Sequence, residues 1–200
     1  MFKKLHYKVR GLPTPLAGLA LGIASLGWCL ENALPLAGWG QTTGAVIGLV
    51  MIGFLVLRFT AHHDTLWADL KHPVVGSIVP TFAMCLMVVS KTAGHWMPEA
   101  GGVLLHLAAL GIFVVNRLQE PRLELMVPSW FVPPIGIVVA DVTFPEVAVL
   151  LPFAKILFWM GAAAYAVLFI FAIIWTYVPA RSAVYSNIRG LAGLALYILL

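Results

Sequence analysis

The sequence predicts an all-α integral membrane protein built of repeated helical hairpins, and three observations support this prediction. Hydrophobic residues make up 62% of the 200 residues, charged residues make up 10%, and the mean hydropathy is +0.98. Soluble domains average roughly 45–50% apolar and 25% charged residues. Charge-poor runs long enough to cross a bilayer recur along the chain. The short loops between them leave no room for a folded soluble domain, so we expect no enzyme.

Six such runs are predicted to span the membrane as helices, because they are continuous and lack the alternating polar period of a barrel strand. A cytoplasmic N-terminal segment, residues 1–12, precedes a single transmembrane domain, residues 13–200. The predicted spans are approximately 13–31, 40–60, 73–91, 98–117, 128–143 and 150–178, with an incomplete seventh at 190–200. The seventh run covers about half of a ~30 Å hydrocarbon core. We therefore expect the sequence to be truncated within a longer helical array.

The basic residues predict the orientation of these spans. Ten of the 12 lysines and arginines are predicted to lie on the same side of the membrane as the N-terminus. Only Lys91 and Lys155 are predicted to lie on the opposite side. Under the positive-inside rule, this distribution places the N-terminus in the cytoplasm. We expect the membrane to be the cytoplasmic (inner) membrane of the cell. The basic residues occur in ones and twos and form no patch, so the net charge of +4 does not predict nucleic-acid binding.

Prolines recur at the start of every second span. They are Pro13 and Pro15, then Pro73 and Pro80, then Pro128, Pro133 and Pro134. Their spacing predicts a repeat of about 55–60 residues, with one hairpin per unit and all units parallel. Proline inside a helix frees carbonyl groups that need a partner, so we expect kinked odd helices inside and straight even helices outside. Gly18 and Gly22 share a helix face, which indicates either close helix packing or room for a pathway.

Three motifs carry these prolines: P-T-P-L-A-G at 13–18, H-P-V-V-G-S-I-V-P-T-F-A-M at 72–84 and P-S-W-F-V-P-P-I-G-I-V-V-A-D at 128–141. Together they resemble the tellurite-resistance/dicarboxylate transporter family, which includes TehA-like proteins and plant slow-type anion channels. The resemblance implies a partial voltage-dependent anion channel/TehA-like fold, three hairpins out of five, and a homotrimer in the lipid bilayer. The hairpins that carry the family's gating phenylalanine have no counterpart here, so no gate residue is carried over.

The resemblance also implies the function and the site. We expect a multi-pass channel or transporter for anions, whether C4-dicarboxylate, tellurite or monovalent anions. The pore-lining candidates are Thr14, Gly18, Ser77, Pro80, Thr81, Phe82, Phe131, Pro133, Pro134 and Gly136. Two alternatives stay open. The chain is a truncated, transport-incompetent remnant or a subunit that needs a second chain, or it is an efflux protein for tellurite or lipophilic cations.

The histidines and acidic residues of the chain predict no metal site and no cofactor. Those after the second span are His62, His63, Asp64, Asp69 and His72. Their spacing fits no closed zinc pattern, so we interpret this segment as a solvated loop. His106 lies inside the fourth span, where we expect a hydrogen-bonded packing residue.

Overall fold

The computed structural model describes residues 10–94, 99–117, 132–144, 147–148 and 151–177, and the regular structure within them is helical. The helices are α1 (Leu16–Ala33), α2 (Trp39–Ala61), α3 (His63–Lys71), α4 (Pro73–Ile78), α5 (Pro80–Ala93), α6 (Glu99–Arg117), α7 (Val132–Val142) and α8 (Leu151–Tyr177). Among the described residues, three stretches are long and apolar enough to cross a membrane: Leu16–Ala33, Trp39–Ala61 and Leu151–Ile170. This all-helical architecture confirms the predicted fold class.

The first hairpin, α1 and α2, is closed by glycines that bring the two backbones into contact. A Cβ atom added at Gly27 would lie 2.5 Å from the carbonyl oxygen of Gly40 and 2.8 Å from the Cα of Gly44. One added at Gly48 would lie 3.1 Å from the carbonyl oxygen of Ala20. Small residues at such spacing allow membrane helices to approach more closely than larger side chains permit. Gly22, which shares a helix face with Gly18, takes no part in this close contact, because nothing lies within 4 Å of a Cβ atom added to it.

The carboxylate of Glu31 stabilises the turn between α1 and α2 by accepting hydrogen bonds from its backbone. Ala37 and Gly38 both have positive φ values, 53° and 88°, and Gly38 is the N-cap of α2. The two oxygens of Glu31 accept hydrogen bonds from the backbone N–H groups of Gly38 (2.6 Å) and Gly40 (3.0 Å). These N–H groups lack intrahelical partners at a helix start, where the helix dipole also favours a negative charge. The last turn of α1 thus caps α2.

Glu31→Gln is expected to lower the free energy of unfolding by about 1 kcal/mol, because the neutral amide loses the charge-assisted part of both bonds. Chemical unfolding in detergent, followed by circular dichroism, measures this change. The matched control is Asn32→Ala, which removes an exposed side chain bonded to the Trp28 carbonyl one turn earlier and is expected to change stability by at most about 0.5 kcal/mol. Equal losses in the two variants would contradict the capping role.

The third predicted span is broken by its inner proline. Helix α4 ends at Ile78, and α5 begins at Pro80. Proline has no N–H to donate, and the N–H of Phe82 turns to the carbonyl of Val79 (3.0 Å). The hydroxyl of Thr81 donates to the Ile78 carbonyl instead (2.7 Å). The odd segment is therefore interrupted here by a change in its backbone hydrogen bonds, with a hydroxyl group as the compensating donor, while Val79 keeps helical φ and ψ values (−49° and −38°).

The other odd segments differ in where their prolines lie. Pro15 is the N-cap of α1, and Pro133 and Pro134 lie in the first turn of α7. Proline is tolerated at these positions because the first turn of a helix has no intrahelical acceptor for its N–H groups. Consequently α1 and α7 are continuous over their described lengths, and the described break is the one between α4 and α5.

The segment after α2, which the sequence suggested was a solvated loop, is the helix α3, so that prediction was wrong. Asp64 lies in its first turn, where a negative charge is favoured, and the Thr65 hydroxyl donates to the His62 carbonyl (2.7 Å). The Nδ1 atom of His72 accepts a hydrogen bond from Val75 N (3.3 Å) and caps α4. Within the described ranges, no group of three metal-type side chains could hold a metal ion.

Helix α5 lies at the centre of the described bundle and packs against α1, α2, α6 and α7. One side of α5 joins α1 and α2 through Cys85 and Val88, and another joins α6, α7 and α8 through Met84 and Met87. Helices α2 and α8 instead carry large apolar side chains on the outside. They include Val50, Phe54 and Leu57 in α2, and Ile156, Trp159 and Phe169 in α8. An odd segment is therefore innermost, and even segments face outward, as suits contact with lipid.

Candidate functional site

Two buried polar clusters lie towards opposite ends of the bundle. The first, which we call the Arg58 cluster, consists of Thr14, Arg58 and Asp69, where α1 begins and α2 ends. The second consists of Ser90 and His106, towards the end where α5 ends and α6 begins. Between them α5 presents apolar residues to its neighbours.

The Arg58 cluster is a closed triangle of polar contacts. The Nη1 atom of Arg58 donates to the Thr14 hydroxyl oxygen (2.6 Å) and pairs with Asp69 Oδ2 (2.9 Å). The Thr14 hydroxyl in turn donates to the same carboxylate oxygen. Arg58 is 7% exposed, and its Nε atom is buried without a hydrogen-bond partner among the described residues. The cluster therefore holds a desolvated cation that still has an unused donor.

Local sequence explains why a charged side chain is tolerated there. Arg58 lies in the last turn of α2, where the helix dipole favours a positive charge. Its guanidinium carbon lies 5.3 Å from the centroid of the Phe59 ring, a favourable cation–π distance. The Asp69 carboxylate supplies the opposite charge that a buried ion needs. A second ion pair at this end, Arg10–Asp64, is longer (3.6 Å) and exposed, so it contributes little.

The structure brings together four of the predicted pore-lining residues. Thr14 is 3% exposed and belongs to the Arg58 cluster. Gly18 follows four residues later, and a Cβ added to it would lie 4.0 Å from the hydroxyl of Thr81 on α5. Thr81 and the adjacent Pro80 are buried. Arg58, Thr14, Gly18 and Thr81 therefore follow one another as a line of residues into the bundle, where α1 meets α5.

The remaining candidates lie elsewhere or outside the described part. Phe82 lines a different surface, an open apolar groove of about 560 Å³ between α2 and α5 that also includes Phe54 and Leu86. Gly136 is buried in α7. Ser77, Pro133 and Pro134 lie in helices α4 and α7, but their side chains are not among those described. Phe131 lies outside the described residues.

His106 is fully buried and hydrogen bonded, as the sequence predicts. Its Nδ1 lies 3.2 Å from Ser90 Oγ, which donates its own hydrogen to the Met87 carbonyl (2.6 Å). The ring also packs edge-on against Phe144, with centroids 5.0 Å apart. These contacts support a packing role.

Sequence reasoning missed the Arg58–Asp69 pair. Arg58 was interpreted as an orientation signal, and Asp69 as a residue of a solvated loop. The available signal was that Arg58 lies within the predicted span 40–60, and an ionisable residue inside a span indicates a functional or paired group. Its partner could not be read from the sequence, because the contact depends on α3 folding back against α2.

Fold and site together define a multi-pass helical membrane protein with a buried basic residue at one end of its bundle. The chain belongs to the voltage-dependent anion channel family (SLAC1), which matches residues 15–186. This finding confirms the resemblance stated above. No solved structure matches the chain.

Two curated relatives from Methanocaldococcus jannaschii are similar to part of the chain. Uncharacterized transporter MJ0576 is 33% identical over 98 residues, which cover 44% of this chain and 28% of the relative. Uncharacterized transporter MJ0762 is 25% identical over 103 residues, which cover 46% of this chain and 30% of the relative. The matched stretch thus spans less than a third of the length of either relative.

Proposed function

We propose that the chain contributes a membrane pathway for small monovalent anions, and that anions reach this pathway at the Arg58 cluster. The observation that carries the proposal is the buried guanidinium of Arg58 at the outer end of the line formed by Thr14, Gly18 and Thr81. Family membership supports the same class of substrate.

The charge of the cluster favours monovalent anions over dicarboxylates or tellurite. Arg58 is the buried basic residue of the described part of the chain, and its charge is already shared with Asp69. A C4-dicarboxylate carries two carboxylates, each of which is best held by its own cationic partner. A halide or nitrate ion needs only one. The hydroxyl groups of Thr14 and Thr81 donate to the anion further along the line when their single hydrogens turn away from Asp69 and from the Ile78 carbonyl.

The arrangement in the cell forms part of the proposal. We propose that the Arg58 cluster faces the cytoplasm, as the bias of basic residues supports, and that the protein lies in the cytoplasmic membrane. We also propose a homotrimer, which the family resemblance supports, with lipid covering the outer faces of α2 and α8. Between Thr81 and the Ser90–His106 pair the described interior is apolar, so the pathway requires surfaces in addition to those described here.

Efflux of nitrate or chloride from liposomes that hold the purified chain tests the proposal, with succinate as the dicarboxylate comparison. Gly18→Val is expected to reduce nitrate efflux about tenfold, equivalent to a barrier increase of about 1.4 kcal/mol, because the branched side chain fills the space in front of Thr81. Gly22→Val, one turn further along α1, is the matched control. It meets nothing within 4 Å and is expected to leave efflux unchanged.

Other outcomes select among the alternatives. Efflux of succinate at the same rate as nitrate would refute the preference for monovalent anions. Efflux that appears only after a second chain is added would identify a subunit, and its absence under all conditions would identify a transport-incompetent remnant. Resistance of a sensitive host to tellurite or to lipophilic cationic dyes, without anion efflux, would favour the efflux function.

A further inference from the structure

The open apolar groove between α2 and α5 lies in the half of the bundle that contains the Arg58 cluster. On α2 its lining extends from Leu49 to Leu57, just over two turns or about 12 Å of helix. On α5 it is lined by Phe82 and Leu86, and it also reaches Ile52, which is 2% exposed. Every described residue of the lining is apolar, so the groove suits an apolar occupant.

The position of the groove determines where its occupant comes from. Helix α2 is long and apolar enough to cross a membrane, so the groove lies at the depth of the lipid chains. Val50, Phe54 and Leu57 line the groove and also belong to the exposed outer face of α2. The groove is therefore continuous with the surface that this helix presents to lipid, and either a lipid chain or another helix fills it.

The lining favours a flexible chain over a second helix. Helices associate in membranes where small residues let their backbones approach, as Gly27 and Gly44 do between α1 and α2. Gly53 is the smallest described residue of the groove, but the residues one turn before and after it are Leu49 and Leu57. This surface lacks the small-residue pattern of close helix packing. An acyl chain has many rotatable bonds and can follow a surface of large, irregular side chains.

Gly53 leaves an open notch in the α2 side of the groove. Nothing lies within 4 Å of a Cβ atom added to it, although larger side chains surround it along the lining. A methylene chain in the groove contacts α2 and α5 together, whereas a chain on the outer face of α2 contacts that helix alone. Because dispersion attraction adds over all the atom pairs in contact, the groove holds a chain more strongly than the rest of the surface does.

We propose that this groove binds one acyl chain of a bilayer phospholipid, from the leaflet on the side of the Arg58 cluster. The chain lies against Phe82, whose N–H turns to the Val79 carbonyl (3.0 Å) where α4 gives way to α5. It therefore supports α5 at the point where the backbone hydrogen bonds change, next to Thr81. The inference goes beyond the proposed function, because lipid binding at this groove does not depend on the passage of anions.

Photocrosslinking of the full chain in phosphatidylcholine vesicles tests this inference. The probe is a phosphatidylcholine with a diazirine group in the middle of one acyl chain, and mass spectrometry locates the labelled residues after illumination. We expect label on Phe82 and Leu86, which line the groove from α5. Gly53→Phe places an aromatic ring in the notch and is expected to reduce this labelling about tenfold.

Gly111→Phe is the matched control for this variant. Gly111 is an exposed glycine of α6, and a Cβ atom added to it likewise meets nothing within 4 Å. The same side chain is therefore introduced into lipid-exposed helix away from the groove, and labelling of Phe82 and Leu86 is expected to stay at the wild-type level.

Three outcomes would overturn the inference. The first is equal labelling of Phe82 and Leu86 in wild type and Gly53→Phe. The second is a parallel loss of label in Gly53→Phe at Ile156, an exposed residue of α8, because the change would then not be confined to the groove. The third needs only the wild type: label on Ile156 without label on Phe82 and Leu86 would show that protein, such as a second copy of the chain, covers the groove.

Discussion

Gly27→Val is expected to separate α1 from α2 and to lower the free energy of unfolding by about 3 kcal/mol, at the upper end for overpacked sites. The reason is that the new Cβ would lie 2.5 Å from a backbone oxygen of Gly40 and 2.8 Å from the Cα of Gly44. Neither atom belongs to a side chain that could rotate away, so the two helices must move apart. Thermal and chemical unfolding in maltoside detergent would report the loss.

Gly22→Val provides the matched control for this prediction. It introduces the same side chain into the same helix, five residues earlier, at an exposed position where a Cβ meets nothing within 4 Å. We expect its stability to stay within about 0.5 kcal/mol of the wild type. If both variants lost stability equally, the cause would be the lower helix propensity of valine or a general sensitivity of α1, and close contact between the backbones would be refuted.

Arg58→Met is expected to have the second large effect, a loss of about 3 kcal/mol of unfolding free energy. This is the lower end of the range for breaking a buried ion pair, because the Asp69 side chain that is left behind is 20% exposed and stays partly hydrated. The hydroxyl of Thr14 also loses its hydrogen-bond donor. The same unfolding measurements in maltoside apply.

A double variant separates the ion pair from simple packing. Adding Asp69→Leu to Arg58→Met removes the stranded carboxylate and is expected to recover most of the lost stability, since apolar pairs can replace buried ion pairs without loss. Arg10→Met is the exposed control. It breaks a 3.6 Å surface pair with Asp64 and is expected to cost less than about 1 kcal/mol. A double variant as unstable as Arg58→Met alone would show that the carboxylate is not the destabilising group.

The sequence predicted those parts of the fold that depend on long, uniform patterns. Helices α1, α2, α6 and α8 follow from charge-poor runs, and the break before α5 follows from Pro80. Because hydropathy averages over a window, a short helix of mixed polarity such as α3 gives no signal and was predicted as a loop.

Contacts between distant residues were the part that the sequence could not supply. Gly18 was predicted to pack or to line a pathway, and the structure places it opposite Thr81. The closest backbone approach between α1 and α2 occurs instead at Gly27, against Gly40 and Gly44, although one glycine is chemically the same as another. Which glycine meets a partner depends on how the helices are rotated and staggered, and a single sequence does not specify that rotation.

The contact between Gly27 and Gly44 also determines how this bundle could move. Where these backbones touch, no side chains lie between α1 and α2 through which the helices could slide, and Glu31 holds the turn, so we expect the hairpin to move as one unit. The break at Val79 lies beside that unit and offers a natural hinge. A motion that widens the space between Gly18 and Thr81 would therefore rotate the whole α1–α2 hairpin about the α4–α5 junction, without a change in the shape of the hairpin.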